Sequence, residues 1–240
     1  MKTIAVIPAR YASSRFPGKP LALIHGKPMI GWVYNALTKI PCLSEIYVAT
    51  DDSRIFQMVQ DFGGQAIMTG DCASGTDRVA EACKNLDFDV VLNIQGDEPM
   101  VRTELVRDLI TAFDDKTVNI ATLYKKITDA HEVNDPNIAK VIVNNNHDAI
   151  YFSRSTIPYN RDNGNVLYYK HIGMYGYTRE FLCKFTSLPQ SYLEKAECLE
   201  QLRVIENGYT LRMIETSYQS IGVDLPEHIP LVERALSNEV

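Results

Sequence analysis

Thr3-Ile4-Ala5-Val6-Ile7, running into Pro8-Ala9-Arg10-Tyr11-Ala12-Ser13-Ser14-Arg15-Phe16-Pro17-Gly18-Lys19-Pro20, is the stretch on which the fold turns. A short β-branched apolar run reads as a strand, and it empties directly into a loop of small residues that carries three cations. The pattern recurs outward from there. Runs at 45–50, 65–68, 90–94 and 119–124 read as further strands, and 28–40, 52–62, 76–86 and 103–113 between them as helices, several opening on Pro, Asp or Thr. Continuous apolar strands alternating with amphipathic helices predict an α/β fold with a mostly parallel central sheet covered by helices on both faces.

From about residue 139 the rhythm changes. Runs at 140–143, 149–152 and 171–177 are strand-like with fewer helices between them, which predicts a smaller mixed-strand extension. Helical patterns return at 179–187, 193–206 and 226–237, with a strand at 211–215. Pro and Gly are scattered rather than gathered into a linker, so a single domain over 1–240 is expected.

Composition narrows the function. The 240 residues are 45% hydrophobic and 22% charged, ordinary for a globular chain with a sizeable core. Lys and Arg number 24 against 30 Asp and Glu, a net charge of −6 with no basic tract, which argues against a protein that tracks nucleic-acid phosphates. Locally placed arginines can still bind a small anion. Met1-Lys2-Thr3 leads straight into the first strand, and no stretch approaches the roughly 18 apolar residues of a membrane span, so a cytoplasmic protein is expected. Cys42, Cys72, Cys83, Cys183 and Cys198 are widely spaced without a Cys-x-x-Cys pair, and reduced, buried thiols are expected.

The chemistry gathers where strands end. Arg10, Arg15 and Lys19 follow the first strand, at the carboxyl edge where parallel sheets bind ligands, and backbone N–H groups of small residues can approach phosphate oxygens there. Neither common nucleotide device is present. A P-loop would need Gly and Ser or Thr where Ser13 and Pro20 stand, and Gly-x-Gly-x-x-Gly occurs nowhere. A second cluster is Gln95-Gly96-Asp97-Glu98-Pro99 at the tip of the 90–94 strand, with carboxylates suited to a hard cation such as Mg²⁺ that substrate phosphates help to hold. Asp224, after Gly222-Val223, is a third. Ser74-Gly75-Thr76-Asp77-Arg78 opens a helix and is a candidate anion site. Arg154, His171 with Tyr175 on the same strand face, and Glu200 with Gln201 complete the set, although singly each fits a structural role as well.

Taken together these segments resemble the 3-deoxy-manno-octulosonate (Kdo) cytidylyltransferases, over nearly the whole chain and with the motifs in order. Ile7–Lys19 alone would indicate only the wider nucleotidyltransferase class; the combination with 74–78, 95–99, 151–154, 170–173 and 199–203 is more specific. The resemblance implies a Rossmann-like nucleotidyltransferase fold whose 139–205 subregion serves sugar binding and dimerisation. It implies transfer of CMP from CTP to the anomeric hydroxyl of Kdo with release of pyrophosphate, dependence on Mg²⁺, a cytoplasmic homodimer, and a product for lipopolysaccharide or capsule assembly. By the same resemblance Arg10, Ser14, Arg15 and Lys19 hold the CTP phosphates, Ala9 and Ser74 the cytidine, and Asp97 and Asp224 the metal. Arg78, Gln95, Arg154, His171, Tyr175, Glu200 and Gln201 would line the sugar pocket, with Arg78 and Arg154 competing for its carboxylate. The 161–168 segment is shorter than in many relatives. A cytidylyltransferase for another acidic sugar, such as the 8-amino analogue, and a silent nucleotide-binding protein are the rival readings.

Overall fold

The computed structural model describes residues 1–13, 15–218 and 221–237, and its chain resolves into two compact units, Met1–Arg107 with Ser220–Val240, and Asp108–Gln219. In the first, β1 (Thr3–Ala9) is buried at every residue but Pro8, as a strand covered on both faces must be. The chain then makes a two-residue hairpin, β2 (Leu23–Ile24) and β3 (Lys27–Pro28), through His25 and Gly26, both at positive φ (47° and 74°). That is the geometry a tight hairpin demands, and Gly meets it without strain. There follow α1 (Met29–Leu37), β4 (Glu45–Thr50), α2 (Ser53–Asp61), β5 (Ala66–Met68), α3 (Gly75–Cys83), β6 (Val90–Asn93) and α4 (Thr103–Thr111). Asp52 caps α2 by accepting from Arg54 N at 2.9 Å.

β1 lies parallel to β4 on one side and to β6 on the other, and β4 is parallel to β5. The order β6-β1-β4-β5 therefore reverses beside β1. In an open parallel sheet the loops leaving the two strands at such a reversal diverge and leave a crevice at the carboxyl edge. Here those loops begin at Arg10 and Ile94. Ile4, Ala5, Val6, Ile7, Val48, Ala49, Val91 and Leu92 are all at 0% exposure, and a fully buried Val, Leu or Ile is worth roughly 1.5–3 kcal/mol.

The second unit holds β7 (Ile120–Lys126), α5 (Ala130–Asn134), β8 (Lys140–Val143), β9 (Ala149–Ser153), β10 (Tyr169–Thr178), α6 (Arg179–Ser187), α7 (Tyr192–Glu197), α8 (Leu202–Glu206) and β11 (Arg212–Glu215). β11 is parallel to β7; the β7–β10, β10–β8 and β8–β9 pairs are antiparallel. This is the mixed region expected from the sequence. After residue 221 the chain returns to the first unit with α9 (Ile229–Ser237), preceded by a 3-10 turn at Pro226–His228. Ile24, Met29, Met100, Val223 and Val232 form the cluster that anchors this segment. Among the described residues, no helix is long and apolar enough to cross a membrane.

Two expectations need correction. The single helix expected over 193–206 is broken: α7 ends at Glu197, Cys198 turns left-handed (φ 52°), and α8 begins only at Leu202. The stop is stabilised from outside, because Arg154 donates from Nε to Glu197 O (2.7 Å) and from Nη2 to Cys198 O (3.3 Å), taking up carbonyls a continuing helix would use. The five cysteines are free, but only Cys83 is buried; Cys72 is half-buried, and Cys42, Cys183 and Cys198 are exposed because they sit on loops, outward helix faces and the α7 terminus.

Candidate functional site

The crevice beside β1 is a cleft of about 310 Å³ within the first unit. Ala9, Arg10, Arg15, Lys19, Ser74, Arg78, Gln95, Asp97 and Asp224 all line it, so the reversal of strand order brings together residues from four separate stretches. Ser14 lies outside the described residues. The cation loop is folded back on itself: Gly18 N donates to Tyr11 O (2.9 Å), and Gly18 takes φ 72°. A Cβ there would meet the Tyr11 ring at 3.1 Å. Arg54, gripped by both oxygens of Asp52 (3.0 and 2.6 Å), stacks on the same Tyr11 ring, its guanidinium carbon 3.3 Å from the ring centroid. The loop is thus braced from the start of α2.

Asp97 and Asp224 are far apart in sequence and adjacent in space. Val223 N donates to Asp97 O at 2.9 Å, and Asp224 N donates to His228 Nδ1 at 3.1 Å, so backbone bonds fix both carboxylates. They converge on one cation: Lys19 Nζ stands 2.5 Å from Asp97 Oδ2 and 3.6 Å from Asp224 Oδ1, with Arg15 Nη2 3.3 Å from Asp224 Oδ1. Two hard, partly exposed carboxylates sharing a cation are a donor set that fits Mg²⁺ when substrate phosphates supply further oxygens. Among the described residues no group of three or more His, Cys, Asp or Glu is arranged to hold a metal. Ser74 caps α3, its hydroxyl accepting from Asp77 N at 3.1 Å, and the helix N-terminus faces the cleft through Gly75.

Arg78 is in the cleft wall but already engaged. It is 3% exposed, with Nη2 2.6 Å from Asp51 Oδ2 and Nη1 2.5 Å from Thr69 Oγ1. Gln95 Nε2 donates to Asn93 Oδ1 at 3.2 Å. Cys72, which sequence reasoning did not place here, also lines the cleft. Burial, followed by its hydrogen bond to Glu81, pushes its thiol up to about 11, so it stays protonated. Only its position two residues before Ser74 hinted at it.

The remaining candidates belong to the second unit. His171 lies on β10 with Tyr175 beside it, ring centroids 5.3 Å apart, and Phe152 edge-on at 5.2 Å. A bulge between Ile172 and Tyr175 absorbs two residues, so both side chains keep one face. Part of the His171 surface remains accessible, but its neighbours crowd the ring, and burial pushes its pKa down to about 3. It is neutral at pH 7. Thr122 Oγ1 lies 3.0 Å from Nε2 and donates to Met174 O (2.8 Å), while Gln201 Nε2 lies 3.5 Å from Nδ1; this network puts the ring proton on Nε2. Burial also holds the Tyr175 hydroxyl well above its ordinary pKa.

Arg154 is spent on backbone: beyond Glu197 O and Cys198 O, its Nη1 donates to Pro136 O (3.0 Å) and Asn137 O (3.5 Å). A guanidinium so occupied has no free fork for a bidentate carboxylate. Glu200 and Gln201 sit in the turn between α7 and α8 rather than on a helix face. That turn is bolted by an ion pair that sequence did not reveal: Arg203 Nε and Nη2 reach Glu194 Oε2 and Oε1 at 2.8 and 2.5 Å, with the two side chains 5% and 6% exposed. Glu197 likewise holds Ser153 Oγ (2.6 Å) and Arg154 N (2.9 Å).

Comparisons with known proteins identify the family. The cytidylyltransferase family model matches residues 4–217. A 3-deoxy-manno-octulosonate cytidylyltransferase of Fusobacterium nucleatum is 48% identical over 97% of this chain and 96% of its own length. An 8-amino-3,8-dideoxy-manno-octulosonate cytidylyltransferase of Shewanella pealeana is 46% identical over 99% of each chain. The solved structure of a CMP:2-keto-3-deoxy-manno-octonic acid synthetase complexed with CTP superposes with a TM-score of 0.95 at 45% identity, covering 100% of both chains. A 4-diphosphocytidyl-2C-methyl-D-erythritol synthase from Anaerococcus prevotii, at 16% identity and a TM-score of 0.64 over 98% of this chain and 99% of its own, shares the fold alone. The chain belongs to the cytidylyltransferase family, among the 3-deoxy-manno-octulosonate cytidylyltransferases.

Proposed function

We propose that this protein transfers CMP from CTP to the anomeric hydroxyl of Kdo, releasing pyrophosphate and making CMP-Kdo for lipopolysaccharide or capsule assembly. The observation that carries the reading is the first unit's cleft, where Arg10, Arg15 and Lys19 face Asp97 and Asp224 at the end of β1. A triphosphate needs cations at its phosphates and a nearby site for a divalent ion, and few other ligands need both within so small a volume. Arg10, Arg15, Lys19 and Ser14 bind the phosphates in this reading, and Ala9 and Ser74 the cytidine.

The reaction requires the sugar hydroxyl, the α-phosphorus and the leaving oxygen in line, with charge developing on phosphate oxygens, so positioning and electrostatics dominate. Arg15 and Lys19 neutralise the departing pyrophosphate. Asp97 and Asp224 would hold Mg²⁺, which when bound supplies charge to the phosphate and lowers the pKa of a hydroxyl it touches. Kdo recognition is assigned to Arg78, Gln95, Arg154, His171, Tyr175, Glu200 and Gln201. Arg78 and Arg154 act chiefly by holding backbone and Asp51 in place, given their existing partners. Gln201 offers its amide to sugar hydroxyls, and His171, neutral with Nδ1 facing the Gln201 amide, orients it. A cytoplasmic homodimer is part of the same proposal.

Pyrophosphate release with each nucleoside triphosphate, against Kdo, 8-amino-Kdo and nonulosonic acids, tests it. CTP with Kdo should be the fastest pair. A preference for the 8-amino sugar would move the chain to the activity named for its Shewanella relative, and no release with any pair would sink the reading.

A further inference from the structure

Two of the cations in the cleft, Arg15 and Lys19, already stand against its carboxylates Asp97 and Asp224. Lys19 Nζ touches Asp97 Oδ2 at 2.5 Å and approaches Asp224 Oδ1 to 3.6 Å, while Arg15 Nη2 reaches Asp224 Oδ1 at 3.3 Å. Two cations and two carboxylates therefore sum to zero before any ligand arrives. The Lys19 and Asp97 side chains are only 16% and 32% exposed, so solvent screens their contact incompletely. Arg15 and Asp224, at 63% and 50%, are far more open, which makes Lys19 the dominant lock.

In the functional reading these same groups have other duties: the cations belong to the triphosphate and the carboxylates to a divalent ion. Both sets of duties cannot be met at once. An ammonium at hydrogen-bond distance occupies a carboxylate lone pair, and its charge opposes a dication arriving at the same two oxygens. We infer that Lys19 is an internal counter-ion that suppresses divalent-cation binding in the nucleotide-free protein, and that a triphosphate releases the site by drawing Lys19 away.

The consequence is an exchange of partners. A metal arriving alone must compete with Lys19. A triphosphate arriving alone must strip Lys19 from Asp97 and leave that carboxylate uncompensated. Arriving together, each removes the other's obstacle, and by linkage the nucleotide strengthens metal binding by the same factor that the metal strengthens nucleotide binding. Tyr11, stacked beneath Arg54 and packed on Gly18, holds the base of the loop while the Lys19 side chain swings, so the exchange needs only side-chain motion.

The inference rests on the assignment of Asp97 and Asp224 as metal carboxylates, and its test is a binding measurement that needs no turnover. Mn²⁺ is titrated into the full-length, nucleotide-free protein, with bound and free ion separated by their paramagnetic resonance signals. Lys19→Met and Lys19→Gln should bind Mn²⁺ roughly tenfold or more tightly than the parent. Lys19→Arg, which keeps the charge, should stay as weak as the parent. Adding Asp97→Asn to Lys19→Met should abolish the gain, tying the ion to this cleft. Thermal melts verify that each variant is folded. If both neutral variants bind Mn²⁺ no better than the parent, Lys19 is not the lock. If the gain survives Asp97→Asn, the ion is elsewhere and the inference fails. A protein that failed the pyrophosphate assay would still give one of these results, so the two readings fall separately.

Discussion

Arg203→Met should destabilise the protein more than almost any other single charge removal outside the cleft. Arg203 and Glu194 are joined by two hydrogen bonds, 2.8 and 2.5 Å, with 5% and 6% of their side chains exposed. Truncating the guanidinium leaves the Glu194 carboxylate in a dry site where, among the described residues, the Ser191 N–H (3.1 Å) is its remaining partner. It also removes the approaches of Nη1 to Phe185 O and Leu188 O, each 3.5 Å, and the stacking on Phe185 at 4.7 Å. Breaking a buried pair from one side costs about 3–5 kcal/mol. At about 2–4 °C per kcal/mol for a chain of this size, the melting temperature should fall by roughly 6–20 °C. Because an apolar replacement of both partners is often neutral, Glu194→Leu with Arg203→Met should recover most of the loss, short of the Ser191 cap. Calorimetry on the parent and both variants is the assay. A drop under about 2 °C for Arg203→Met, or a double variant no better than the single, would mean that the pair does not carry the α7–α8 turn.

His171 is held near pKa 3 against about 6.5 unfolded, so between those values the unfolded chain takes up a proton that the folded chain refuses. Stability present above pH 6.5 is lost as pH falls, and His171→Gln should remove about 2 kcal/mol of the loss between pH 6.5 and 5, read by urea unfolding. Gly18→Ala forces a Cβ into the left-handed region and against the Tyr11 ring at 3.1 Å. The strain of about 1–2 kcal/mol should raise the KM for CTP roughly five- to thirtyfold, with the KM for Kdo little changed. Equal effects on both substrates would remove the loop from triphosphate binding. Gln201→Ala should lower kcat/KM for Kdo by about ten- to a hundredfold while CTP titrations stay unchanged. Normal Kdo kinetics would reduce Gln201 to a prop for the His171 ring.

The first unit was legible because its signals are local. Continuous apolar runs such as 3–7 and 90–94 become parallel strands, and in such sheets loops at the carboxyl ends gather ligand groups. Asp97 and Asp224 could be singled out only as carboxylates after apolar runs; that they meet depends on the Val223–Asp97 backbone bond, which no periodicity encodes. The second unit was less legible for a definite reason. The helix pattern over 193–206 is interrupted by bonds from Arg154, more than 40 residues upstream, that claim the last carbonyls of α7. Glu194 and Arg203 stand nine positions apart, a spacing outside the three- and four-residue neighbours of a helix, and become partners only because the chain turns between them. Arg78 and Arg154 carry the same lesson. Their residue type suits a sugar carboxylate, but which acceptors already hold them is a property of the folded chain.

Incubating the full-length protein with CTP, Kdo and Mg²⁺ and following the mixture by ³¹P NMR tests the assigned reaction most directly. A sugar-linked CMP phosphodiester should appear in step with an equal amount of pyrophosphate, only when all three components are present. CTP left intact, or CTP broken down without any phosphodiester to Kdo, would contradict the assignment.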